Sequence, residues 1–124
     1  MLDKISVMGM EYAIEYVDVV DKESPRFGQV NFFESKIKID KSLSDDRKKQ
    51  TLIHEILHCV CQELGLYDLN DNENAIQSIS TALYDVMKNN CLGFCNSDPV
   101  EPLSEMEKKK ALAALKLAEG LFLL

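Results

Sequence analysis

The sequence predicts an α+β fold, a small antiparallel β-sheet packed against a helix that bears the motif His54-Glu55-Ile56-Leu57-His58 and against a second helix, with a further helix at the C-terminal end. Three patterns carry that expectation. Apolar and polar residues alternate between Lys4 and Ile39, apolar residues recur at helical spacing in two runs between Ser44 and Asn90, and an Ala- and Leu-rich stretch follows Ser104.

Taken in order, the strands come first. Tyr12, Ile14 and Tyr16 fall on one side of an extended segment, with Ala13, Glu15 and Val17 on the other. Gly9 interrupts the first run, Asp21-Lys22-Glu23-Ser24-Pro25 has turn chemistry, and Gly28 opens a strand through Val30, Phe32 and Phe33. Ser35 to Ile39 reads as the next strand. Glu34 and Ser35 leave room only for a tight connection, so the last two strands are expected to form an antiparallel hairpin.

Ser44 followed by Asp45 and Asp46 starts a helix, because the hydroxyl caps a free N–H and the acids complement the positive end of the helix dipole. Ile53, Leu57, Val60 and Leu64 form its expected buried stripe, and Gly65 ends it as a left-handed cap. A second helix is expected from about Asn70–Glu73 to Asn89-Asn90, with Ile76, Ile79, Leu83 and Val86 on its apolar face. Gly93, Pro99 and Pro102 break the pattern after Cys91, and Ser104 with Glu107 makes a capping box for the last helix. The expected organisation is one domain over residues 1–90, an irregular link over 91–102 and a helix over 103–124.

Composition narrows the function classes. The 124 residues, 46% hydrophobic and 28% charged, are those of a globular protein, and no apolar run approaches the roughly 20 residues that span a bilayer. Met1 to Val7 has neither a long apolar core nor a small-residue cleavage site, so a cytoplasmic protein is expected. A net charge of −7 argues against a phosphate backbone as ligand, and Lys108-Lys109-Lys110, behind Glu105 and Glu107, reads as a solvated mixed-charge face.

The chemistry lies in the motif. Residues four apart on a helix point the same way, so His54 and His58 offer two imidazoles to one metal ion. Glu55 is turned about 100° from the first ligand, too far to ligate comfortably and close enough to act as general base on a water at the ion. Both histidines of the chain are used, and chance would produce this arrangement on the order of once in several hundred such chains. Leu52, Ile53, Ile56 and Leu57 make the helix a buried one, where an unpartnered imidazole pair is costly.

With no histidine left, the third ligand is Glu, Asp or Cys. Glu73 is the choice, because it opens the second helix on the same line as Gln77, Ser80 and Tyr84, and the short link folds that helix back along the first. The competing reading makes Asn70 the N-cap and Glu73 the returning half of its capping arrangement, with Asp68, Asp71 and Glu63 as the other candidate ligands. Cys61 continues the histidine line, although a free cysteine is more often a small buried residue. Cys59, Cys61, Cys91 and Cys95 are a weak candidate for a four-thiolate site, since neither pair has the two-residue gap of a zinc knuckle. Tyr67 and Tyr84 are candidate oxyanion donors, with packing as the plainer role.

Gly28-Gln29-Val30-Asn31, Lys36-Ile37-Lys38-Ile39-Asp40, Thr51 to His58, Glu73, and Ala82-Leu83-Tyr84 before Asn89-Asn90 together resemble the small phage-type members of the ImmA/IrrE metallopeptidase group. The resemblance covers roughly residues 7 to 90 and implies a minimal zincin-like fold. It also implies a zinc peptidase of the gluzincin arrangement, with His54, His58 and a downstream Glu as ligands and Glu55 catalytic. It further implies a protein substrate such as a helix-turn-helix repressor, and a sheet-edge strand, here Lys36 to Ile39, beside the metal for an extended peptide to join. The chain departs from longer members of the group in lacking a DNA-binding module and in its Cys-containing segment and last helix. Two other readings compete with the peptidase: a zincin-fold module that binds a regulator protein without cutting it, and a zinc hydrolase of small amides.

Overall fold

The computed structural model describes residues 2–93 and 105–122. The chain divides into two compact units, Met1–Cys91 and Leu92–Leu124. The first is α+β, with strands β1 (Lys4–Val7), β2 (Met10–Val17), β3 (Gly28–Asn31) and β4 (Lys36–Asp40), and helices α1 (Asp45–Leu64), α2 (Tyr67–Asn70) and α3 (Glu73–Asn89). The second contains α4 (Glu105–Phe122). Cys95, Pro99, Pro102 and Ser104, and with them the expected capping box, lie outside the described residues. No helix among the described residues is long and apolar enough to cross a membrane.

The sheet has the order β1-β2-β4-β3 and is mixed, which corrects the expected all-antiparallel arrangement. Met8 and Gly9 join β1 to β2 as a hairpin, with φ of 50° and 83°, and β3 and β4 pair antiparallel as expected. β4 runs parallel to β2, with Ile14 beside Ile37 and Tyr16 beside Ile39. Residues 18–27 are long enough to carry the chain past one strand position, so β3 settles at the edge and β4 returns into the gap. Alternation in a sequence says which side chains face the core and is silent on which strands are neighbours, so this pairing was not legible. The edges of the sheet are therefore β1 and β3, of which β3 borders the stretch of α1 at Thr51 and Glu55, and Lys36 to Ile39 lie inside the sheet.

β3 also ends sooner than expected. Asn31 Oδ1 accepts from the amides of Phe33 and Glu34 at 3.0 and 3.1 Å, closing a turn that leaves Phe33 fully exposed and Ser35 at a φ of 52°. The inner face of the sheet contributes Val7, Tyr12, Ile14, Ile37 and Ile39 to the core, and α1 adds Cys59, with Leu52, Ile56 and Val60 packed against them. Tyr12 spans that core and donates its hydroxyl to Glu63 Oε1 at 2.8 Å.

α1 begins as expected: Ser44 Oγ accepts from the Arg47 amide at 3.2 Å. It ends at Gly65, with a φ of 71°, where the Leu66 amide reaches Cys61 O at 2.8 Å. The buried line of α1 is Thr51, Glu55, His58, Cys59 and Cys61, whereas Leu64 of the expected stripe is exposed. On α3 only Ile76 of the expected apolar face is buried; Ile79, Leu83 and Val86 are exposed. The reason is that α3 meets α1 through polar pairs instead. Gln50 Nε2 donates to Thr81 Oγ1 at 2.9 Å, and Tyr84 and Lys88 both donate to Asp46, which rotates the apolar line away from the contact.

Candidate metal centre

One open cavity of about 610 Å³ lies between α1, β3 and the start of α3, and His54, Glu55, His58 and Glu73 all line it. The helix turn sets the first part of the geometry. His54 Nε2 and His58 Nε2 converge to 3.2 Å, as residues one turn apart on one face can. Glu73 closes the group, with Oε2 3.2 Å from His54 Nε2 and Oε1 2.9 Å from His58 Nε2.

Glu73 reaches this position because it is not a capping residue. The N-cap of α3 is Asn72, whose side chain accepts from the Ala75 amide at 3.1 Å, so Glu73 is the first helical residue and its carboxylate is free to turn toward α1. Asn70, the expected cap, instead closes the short helix α2 and hydrogen-bonds His58 Nδ1. The capping reading of Glu73 is thereby corrected.

The far nitrogen of each imidazole is held by a side-chain amide. His54 Nδ1 meets Gln77 Oε1 at 2.8 Å, and the other end of that amide, Nε2, donates to Thr81 Oγ1 at 3.3 Å. With Nε2 engaged as donor, Oε1 is left facing His54 and must accept, so Nδ1 carries a proton and Nε2 is the ring nitrogen left to face the cavity. Asn70 Oδ1 imposes the same arrangement on His58. The Nε2 atoms of both rings and the Glu73 carboxylate then face one another, a group that either a proton or a cation can hold together.

The spacing of these donors fits a cation. Ligands at about 2.0–2.1 Å from a tetrahedral zinc ion stand about 3.3 Å apart, against 3.2, 3.2 and 2.9 Å here. Among the described residues, His54, His58 and Glu73 are the His, Cys, Asp and Glu group close enough to share an ion. The donor set, two imidazole nitrogens and one carboxylate, suits zinc and other divalent first-row metals.

Glu55 sits next to this group and is 6% exposed. Burial pushes its carboxyl up to about 7; the charge of His58 opposes that rise, Glu73 adds to it and Arg26 opposes it. The pocket around Glu55 depends on Gly28, which brings β3 against α1. A Cβ at that position would lie 2.6 Å from Thr51 Cγ2 and 3.2 Å from Glu55 Cγ.

Other sequence candidates lie elsewhere. Glu63 is engaged by Tyr12, Tyr84 donates to Asp46 at 2.6 Å, and Tyr67 is exposed outside the cavity, so neither tyrosine is an oxyanion donor at this site. Asp71 lines the cavity without joining the ligand group, and Asp68 does neither. Cys61 is buried outside the cavity, Cys59 is part of the core and Cys91 is exposed, so these three do not form a thiolate site. Sequence reasoning missed Asn70 as a histidine partner and Gly28 as the spacer beside Glu55. The first was hidden by its alternative use as a cap, and the second showed only as a strand-opening glycine. Compared with family models, with curated proteins and with solved structures, the chain matches none of them.

Proposed function

We propose that this chain is a zinc metallopeptidase of the gluzincin arrangement that hydrolyses a peptide bond in a protein substrate. The observation that carries the reading is the convergence of His54 Nε2, His58 Nε2 and the Glu73 carboxylate beside a buried Glu55. His54, His58 and Glu73 would hold the ion, and Gln77 and Asn70 keep the imidazole lone pairs aimed at it. When bound, the ion polarises the scissile carbonyl and lowers the pKa of water at the site. Glu55 takes the proton of the attacking water on a carboxylate oxygen and returns it to the departing amide nitrogen as the C–N bond breaks.

Edge strand β3 supports a peptide as substrate. The bond from the Asp40 amide to Phe27 O, 2.8 Å, sets the alternation along the hairpin. Gln29 therefore turns its backbone groups toward β4, and Gly28 and Val30 turn theirs outward along the cavity. An extended substrate can pair with those groups as an added strand. The resemblance to the ImmA/IrrE group makes a helix-turn-helix repressor the first protein to try.

Glu55→Gln tests the reading. The variant is expected to retain zinc and to lose cleavage of a peptide library and of such a repressor, by at least about a hundredfold for a general base of this kind. Cleavage at the wild-type rate in that variant would refute the assignment.

A further inference from the structure

The walls of the cavity are not electrically uniform. Arg26 and Arg47 line the part near the start of α1, whereas Asp71 and Glu73 line the part near the start of α3. Of the two arginines in the chain, Arg26 pairs with Asp21 at 3.5 Å, whereas among the described residues no carboxylate pairs with Arg47. Its guanidinium is nevertheless held in place. The carbon Cζ lies 5.9 Å from the centroid of the Phe27 ring, and Nη1 donates to Gln50 Oε1 at 3.1 Å. Gln50 is in turn fixed by Thr81. A positioned, exposed and unpaired guanidinium on the wall of a binding cavity is a carboxylate receptor by its own chemistry, with most of its five N–H donors still to be used.

We propose that Arg47 selects substrates bearing an Asp or Glu about three residues to one side of the bond that is cut. This inference rests on the proposed peptidase reading and adds the substrate's charge pattern to it. The position follows from the helix: Arg47 and His54 are seven residues apart on α1, about 10 Å at 1.5 Å per residue. An extended peptide covers that distance in about three residues. Asp71 at the opposite end repels an acid placed the wrong way round, so the pair of walls also fixes the direction in which the substrate lies.

Binding and cutting are tested separately. Fluorescein-labelled ten-residue peptides of Ala, Val, Thr and Ser, with one Glu, Gln or Lys three residues to either side of the central bond, are titrated into full-length zinc-loaded Glu55→Gln protein. The Glu peptide of one orientation is expected to bind about three- to tenfold tighter than its Gln twin, the range of a partly exposed Arg–carboxylate pair. The Lys twin is expected to bind weakest. Adding Arg47→Gln should erase the difference, and adding Arg47→Glu should reverse it in favour of Lys, a gain that an unfolded variant cannot show. Equal binding of the Glu, Gln and Lys peptides in both orientations, absence of binding by all six, or a preference that survives Arg47→Gln overturns the inference. The same peptides are then given to zinc-loaded wild-type protein. Charge preference without cleavage removes the peptidase reading and keeps the charge selection; cleavage without preference does the reverse.

Discussion

Replacing Gly28 with alanine tests how β3 is seated beside Glu55. The added Cβ would stand 2.6 Å from Thr51 Cγ2, with Glu55 Cγ and Lys38 O both at 3.2 Å. Thr51 is 7% exposed and Glu55 6%, and the short, β-branched Thr51 side chain cannot withdraw its methyl without leaving its rotamer. Overpacking of this kind costs about 1–3 kcal/mol, and the lost freedom of the unfolded chain returns about 0.4–1 kcal/mol. The net loss of about 1–2 kcal/mol corresponds to a fall in melting temperature of about 5–15 °C for a domain of this size. Thr51→Ser removes the methyl at the closest contact, so the double variant should recover a coupling of about 1 kcal/mol or more in a double-mutant cycle. The recovery is partial, because the contact with Glu55 Cγ remains. Urea and thermal unfolding followed by circular dichroism supply the four corners of the cycle. Gly28→Ala melting with the wild type, or a cycle with no coupling, would refute the close approach of β3 to α1.

Three further outcomes are expected. Gln77→Leu removes the acceptor that orients His54, and zinc affinity measured by competition with a chromophoric chelator should fall about 10–100-fold; unchanged affinity contradicts the orienting role. In the same assay Glu73→Ala should weaken zinc binding by more than about tenfold while Glu63→Ala leaves it alone, because Glu63 is occupied with Tyr12, and the opposite ranking would reassign the third ligand. Burial pushes the Cys59 thiol up to about 12, so the folded protein keeps its proton where the unfolded chain, at about 8.5, gives it up. The raised folded value means that stability present below the unfolded pKa is lost as pH rises from about 9 to about 12, by up to about 1.4 kcal/mol per pH unit. Urea midpoints from pH 8 to 11 should therefore fall less steeply in Cys59→Ala, and identical slopes would count against a buried protonated thiol.

The parts of this molecule that were legible in its sequence are those set by short-range chemistry. Ser44 and Gly65 mark the ends of α1 because capping needs a hydroxyl at one end and a positive φ at the other, and both requirements are local. His54 and His58 converge because one helical turn relates them, and Tyr12 and Ile14 face inward because a strand repeats every two residues. The strand order was not legible, since the insertion of β4 between β2 and β3 depends on the whole path of residues 18–27. Nor was the rotation of α3, whose apolar side chains suggested a packing face while Gln77, Thr81 and Tyr84 made the contact. Polar pairing between helices leaves no periodic signature of its own. Asn70 illustrates a third limit: a residue fit to cap a helix is equally fit to hold an imidazole, and only the tertiary arrangement decides.

The donors of the metal group all come from one helical hairpin, with 19 residues separating His54 from Glu73 and 15 separating His58 from Glu73. An ion held there closes a short loop, for which the entropy of closure is small, and it spans no boundary with the sheet. Uptake of an ion at this group would thus leave sheet formation untouched. Withdrawal of the ion should free α3 to fray from α1 while β1, β2, β4 and β3 stay paired, so amide exchange in α3 would report metal status long before the core opens.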